Sequence, residues 1–76
     1  MISYNTYEQK AHEFITSKYG SIDILKTYNK SVQDELHEYM LRFLRSLEPD
    51  MTANQIKEIM HKNKEWGKRF INSYRE

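Results

Sequence analysis

Residues 51–76, "MTANQIKEIMHKNKEWGKRFINSYRE", admit two incompatible readings, and the fold turns on which one holds. In the first, "TANQIKEIM" is the supporting helix of a helix-turn-helix, "HKN" the turn and "KEWGKRFINSYRE" the recognition helix, and the chain is a DNA-binding regulator. In the second, the segment is one amphipathic helix. Several positions count against the motif. Lys57 follows Ile56 where the supporting helix usually has a small residue, His61 stands where the turn usually has glycine, and Gly67 falls where the second helix needs a branched aliphatic. Counted from Ile56 at about 100° per residue, Ile56, Ile59, Met60, Asn63, Trp66, Gly67, Phe70, Ile71 and Tyr74 share an arc of roughly 140°. A turn would reset that phase. Its continuity predicts a single helix over 53–74, with Thr52 as N-cap and Gln55 completing a capping box. Gly67, which costs a helix about 1 kcal/mol relative to alanine, then lies on the inner face and permits close approach of a neighbour. Glu58 with Lys62, and Glu65 with Arg69, fall at i,i+4 on the outer face.

The rest of the chain also reads as helical, because no run alternates apolar and polar residues long enough for a strand. Asn5 or Thr6 is expected to open a helix over 5–19, with Glu8 or Gln9 as capping-box partner and Gly20 as a left-handed terminator. Its core face is Tyr4, Tyr7, Ala11, Phe14, Ile15 and Tyr19. Ser21 caps a short connector helix over 22–28, and Ser31 caps the next helix, over 32–47, which stops before Pro49 because a residue preceding proline is driven out of helical geometry. That helix is the most apolar. Val32, Leu36, Tyr39, Met40, Phe43 and Leu47 form one stripe, which Leu41 and Leu44 widen to roughly 200°. The fold class is therefore all-α: a single domain, a small bundle of three main helices and a connector.

A chain of 76 residues has room for one core, since at this size only about 60% of the unfolded surface is buried. Without cysteine, no disulfide or thiolate metal site supplements that core. The start "MISYNTYEQKAHEF" lacks the pattern of a secretory signal, and no apolar run approaches the ~18 residues of a membrane span, so a cytoplasmic protein without membrane contact is expected. Met, Phe, Tyr, Ile, Asn and Lys supply 33 residues and Gly, Ala, Arg and Pro only 9. That bias fits an AT-rich genome, such as a low-GC bacterium or its phages and plasmids.

Chemistry is sparse. Asp34 with His37 and Glu58 with His61 have the carboxylate-x-x-His spacing of di-metal bundles, but His37 lies at the margin of its apolar face and His61 on a polar one, whereas metal ligands point inward. Neither a metal nor any other cofactor is expected. No nucleophilic cysteine, glycine-rich phosphate loop or serine elbow is present, and a pocket of the ~300–1,000 Å³ usual for small molecules is hard to build at this length. The chain is not expected to be an enzyme or to take a small-molecule substrate.

Two binding functions remain. The stripe of the 32–47 helix is wider than its neighbours are expected to cover, leaving Leu41 and Leu44 exposed, with His37 and Arg45 on the rim, as a site for a protein partner or a second copy. Leu41, most nearly opposite the stripe's centre, is expected to tolerate a charge. Such a module is of the kind a bacterium, phage or plasmid uses to modulate or inhibit a larger complex. The alternative is a DNA-binding regulator: residues 57–75 carry six basic and two acidic side chains, so the formal charge of +1 divides into +4 there and −3 elsewhere. Lys57, Lys64, Lys68, Arg69 and Arg75 would then contact nucleic acid or another anionic partner. A sequence pI of 8.0 is below the ~9 usual for a dedicated nucleic-acid module.

Overall fold

In the computed structural model, which describes residues 2–75, four helical elements follow one another: α1 (Tyr4–Tyr19), a 3-10 helix (Ile22–Thr27), α2 (Lys30–Leu47) and α3 (Ala53–Arg75). α3 is one uninterrupted helix, so the apolar phase read through "HKNKEWG" is that of a single element and no helix-turn-helix exists in this segment. Its 23 residues account for nearly all of the molecule's 36 Å long axis at about 1.5 Å per residue. The other elements pack along it, α2 most extensively.

The helix ends follow from local chemistry. Thr52 and Gln55 close the expected capping box, the Thr52 amide donating to Gln55 Oε1 at 2.8 Å and the Gln55 amide to Thr52 Oγ1 at 3.3 Å. Gly20, at φ 85°, ends α1 and donates its N–H to the Thr16 carbonyl. Two caps differ from expectation. Ser3, not Asn5 or Thr6, caps α1 by accepting from the Thr6 amide. Asn29 displaces Ser31 as the cap of α2, because its amide oxygen accepts from both the Ser31 and Val32 N–H groups, and the helix therefore starts at Lys30.

Tyr7, Ala11 and Ile15 of α1, Leu25 of the 3-10 helix, Val32, Leu36, Met40 and Leu44 of α2, and Ile59, Phe70 and Ile71 of α3 form the core. On α2 the buried residues are an i,i+4 row, and this corrects the expected stripe. The row drifts about 40° per step, which rotates the buried face toward Leu44 and away from the exposed Tyr39, while Phe43 is partly buried and packs against the core. Leu44 is 3% exposed and belongs to the core, not to a free patch. Leu47, expected in the core stripe, is the last residue of the helix and is 47% exposed, outside the core.

Three helices meet at one buried polar node. The Tyr7 hydroxyl donates to Asn63 Oδ1 at 2.8 Å, and Asn63 Nδ2 donates to the His37 carbonyl at 2.9 Å. Asn63, 5% exposed, thus has its amide satisfied at both ends, as a buried polar group must. One turn along α3, Gly67 faces the His37 ring. A Cβ there would lie 2.3 Å from His37 Nε2 and 3.3 Å from the Tyr7 hydroxyl, so glycine is required for the approach of α2. Gly67→Ala is expected to cost about 1–3 kcal/mol through this clash. In a His37→Ala background only the 3.3 Å approach to the Tyr7 hydroxyl opposes the helix-propensity gain of about 1 kcal/mol, so most of the cost should disappear. Urea unfolding of the four proteins of this cycle checks the loss of that cost; the same cost in both backgrounds would show that the His37 ring is not the obstacle.

Candidate protein-docking groove

On the side of the α2/α3 pair that α1 does not cover, the two helices leave an open groove of about 370 Å³. His37, Glu38 and Leu41 form one wall and Met60, Asn63, Lys64 and Lys68 the other. Each wall is built on helical spacing: His37 and Leu41 are one i,i+4 step, and Met60, Lys64 and Lys68 two. Position therefore follows from the node described above. Asn63 and Gly67 hold α3 against His37, and the residues one position further round each helix form the rim.

The groove is apolar at its centre. Met60 is 52% exposed, and Leu41 is half-buried and packs against the core. The expectation that Leu41 stands free on the opposite face is thus corrected, because rotation of the buried face brings Leu41 to its margin. The rim is charged. Arg42 Nη2 holds Glu38 Oε1 at 2.5 Å on the outside of α2, while Lys64 and Lys68 have no salt bridge among the described residues.

The other sequence-derived candidates are dispersed. Arg45 is exposed but lines a separate depression with Arg42, Pro49, Met51 and Ile56. Lys57 is exposed on the outer face of α3. Arg69 lies over the ring of Tyr4 at 4.0 Å, and Arg75 over that of Tyr28 at 3.8 Å, its Nε also donating to the Leu25 carbonyl at 2.9 Å. Arg75 is therefore a clasp between the end of α3 and the 3-10 helix, and its cationic group is used inside the fold. Glu65 approaches His61 Nε2 at 3.3 Å, while Arg69 is over Tyr4. Trp66 is half-buried, edge-on to Tyr4 and Tyr7 with ring centroids 5.8 and 5.3 Å away, and Lys62 covers it at 5.3 Å. Glu38, Met60 and Asn63 are the groove residues the sequence did not single out as site residues. The signal for Met60 was its place at the edge of the α3 apolar arc, four residues before Lys64 and eight before Lys68.

No protein-family model, curated protein or solved structure is significantly similar to this chain. Among the described residues, no helix is long and apolar enough to cross a membrane. Nor does any group of three or more His, Cys, Asp or Glu residues come together as a metal site there.

His37 is the groove-wall group whose titration the fold displaces. Burial holds its imidazole below the ordinary 6.5, and Lys68 and Lys64 act in the same direction, while Asp34 alone favours the proton. The sign of the pH dependence follows. Well above pH 6.5 both folded and unfolded chains carry the neutral ring, and its contribution is complete. As pH falls through 6.5 the unfolded chain takes up a proton that the folded chain resists, so stability is lost until the folded-state value is passed. The melting temperature should fall between about pH 7.5 and 5.5. His37→Gln should flatten that part of the curve; an unchanged slope in the variant would assign the dependence to another group.

Proposed function

We propose that this chain is a non-catalytic protein-binding module that docks a larger partner on the open side of its α2/α3 pair. One observation carries the reading: Met60 and Leu41 form an apolar strip in an open groove, rimmed by charged side chains. An apolar centre with a polar border is the usual anatomy of a protein interface. Met60 contributes adaptability as well as area, because an unbranched thioether adjusts to different neighbours at little cost. A module that occupies a site on a larger complex, and so modulates or inhibits it, needs no more than this surface on a rigid support.

The DNA-binding alternative draws less support from the geometry. Of the five basic residues considered for it, Arg69 covers Tyr4 and Arg75 is bound to Leu25 and Tyr28, which leaves Lys57, Lys64 and Lys68. Lys64 and Lys68 share their groove with apolar side chains, which gain nothing from contact with phosphates.

Met60→Asp separates folding from binding. Since Met60 is 52% exposed, the substitution should leave the stability within about 0.5 kcal/mol of the wild type. A carboxylate carried into a desolvated interface is costly, so binding should be lost. Proteins retained from host extract by immobilised wild type should be absent with Met60→Asp, and duplex DNA should show no binding by fluorescence anisotropy at physiological salt. Equal retention by both baits, or DNA binding reduced by Lys64→Ala and Lys68→Ala, would overturn the reading.

A further inference from the structure

We infer that the occupant of the α2/α3 groove is an amphipathic α-helix of a partner protein, laid on Leu41 and Met60 with a flank of carboxylates against Lys64 and Lys68. This rests on the reading of the chain as a protein-binding module and specifies what it binds.

The shape of the groove selects a helix. Its walls are i,i+4 rows, the ridges of two packed helices, and a valley between such ridges is complementary to the side-chain ridge of a third helix. From Met60 to Lys68 the basic wall runs eight residues, roughly 12 Å, which matches about two turns of a guest helix. An extended peptide is not offered what it needs. Strand addition requires a row of unpaired backbone N–H and C=O groups, whereas both walls here lie in α-helices, whose backbone groups are bonded within themselves. At the floor, Asn63 is tied to Tyr7 and to the His37 carbonyl, so the interior presents chiefly Leu41 and Met60.

Charge sets the flank. Lys64 and Lys68 stand on the α3 wall without a salt bridge among the described residues, across the groove from His37. The α2 wall offers no equivalent, because Glu38 is held by Arg42. A guest helix therefore gains from carboxylates on the side facing α3, and this one-sidedness fixes its rotation about its own axis. A second copy of this chain fits less well. Its corresponding surface carries the same two lysines, and its Glu38 is already engaged.

The test uses a set of designed helical peptides of about 16 residues, with apolar side chains at i, i+3, i+4 and i+7 and glutamates along one flank. Matched peptides carry lysines in place of the glutamates. By fluorescence anisotropy at low salt the acidic peptides should bind roughly five- to ten-fold more tightly than the basic ones, a preference that shrinks as salt is raised. Backbone amide shifts should move around residues 37–41 and 60–68. A Lys64→Glu/Lys68→Glu chain should prefer the basic peptides. Equal affinity for both sets, no binding by either, shifts confined to other surfaces, or a dimer in sedimentation that Met60→Asp dissolves would each overturn the inference. Failure of the peptides while Met60→Asp still strips partners from host extract removes the acidic helix and leaves the binding module standing. Retention that Met60→Asp does not alter removes both.

Discussion

The carboxamide of Asn63 is the constraint on which the arrangement depends. It accepts from the Tyr7 hydroxyl on α1 and donates to the His37 carbonyl on α2. Burial also pushes the Tyr7 phenol well above its ordinary range, so the group remains a donor wherever the domain is folded. Apolar packing alone would tolerate a slide of one helix along another by a turn, since i,i+4 rows of Leu, Ile and Met resemble themselves after each step. A slide here would strand a buried hydroxyl and both ends of an amide, at about 1–3 kcal/mol for each unsatisfied group. Gly67 then fixes how near the helices come, because the His37 ring occupies the space of its missing side chain.

Around that node the domain compensates for its size with aromatic rings and cations, not with cross-links. Tyr4, Tyr7 and Trp66 meet edge-on or stacked, and Phe70 and Tyr74 meet edge-on at the next turns of α3. Lys62, Arg69 and Arg75 lie over rings at the margins of this packing. Such contacts contribute about 0.5–1 kcal/mol each at exposed sites. They also explain why the basic excess of residues 57–75 overstates the charge available to a partner. Several of those cations lie on the fold's own rings.

What was legible in the sequence was what neighbours along the chain decide. The length of α3, its Thr52–Gln55 cap and the Gly20 terminator are written within a few residues of where they act, and each is found in the structure. The wrong cap at Ser31 failed for a similar local reason: Asn29 reaches two amides and wins the competition. Leu44 and Leu47 could not be sorted in this way. On an isolated helix Leu47 falls in the apolar stripe and Leu44 beside it, and only the positions of α1, α3 and the end of α2 decide that Leu44 is the one covered. Asn63 was placed on the inner face by its phase, yet its partners, Tyr7 and the backbone of His37, lie 56 and 26 residues away. Half of the groove was legible in the same sense. His37 and Leu41 were read on one helix and Lys64 and Lys68 on another, and only tertiary packing puts them opposite each other, with Met60 beside the lysines.

The two separations have a consequence for the order of assembly. The tie of α2 to α3 closes 26 residues and that of α1 to α3 closes 56, a difference in loop-closure cost of about 0.7 kcal/mol in favour of the hairpin. A nascent α2/α3 hairpin shows apolar side chains on both of its sides until α1 arrives to cover one. During that interval the uncovered Leu41–Met60 strip is a point at which unfinished chains would adhere to each other. Lys64 and Lys68 lie along it, and two positive charges there repel the same two charges on an identical neighbour.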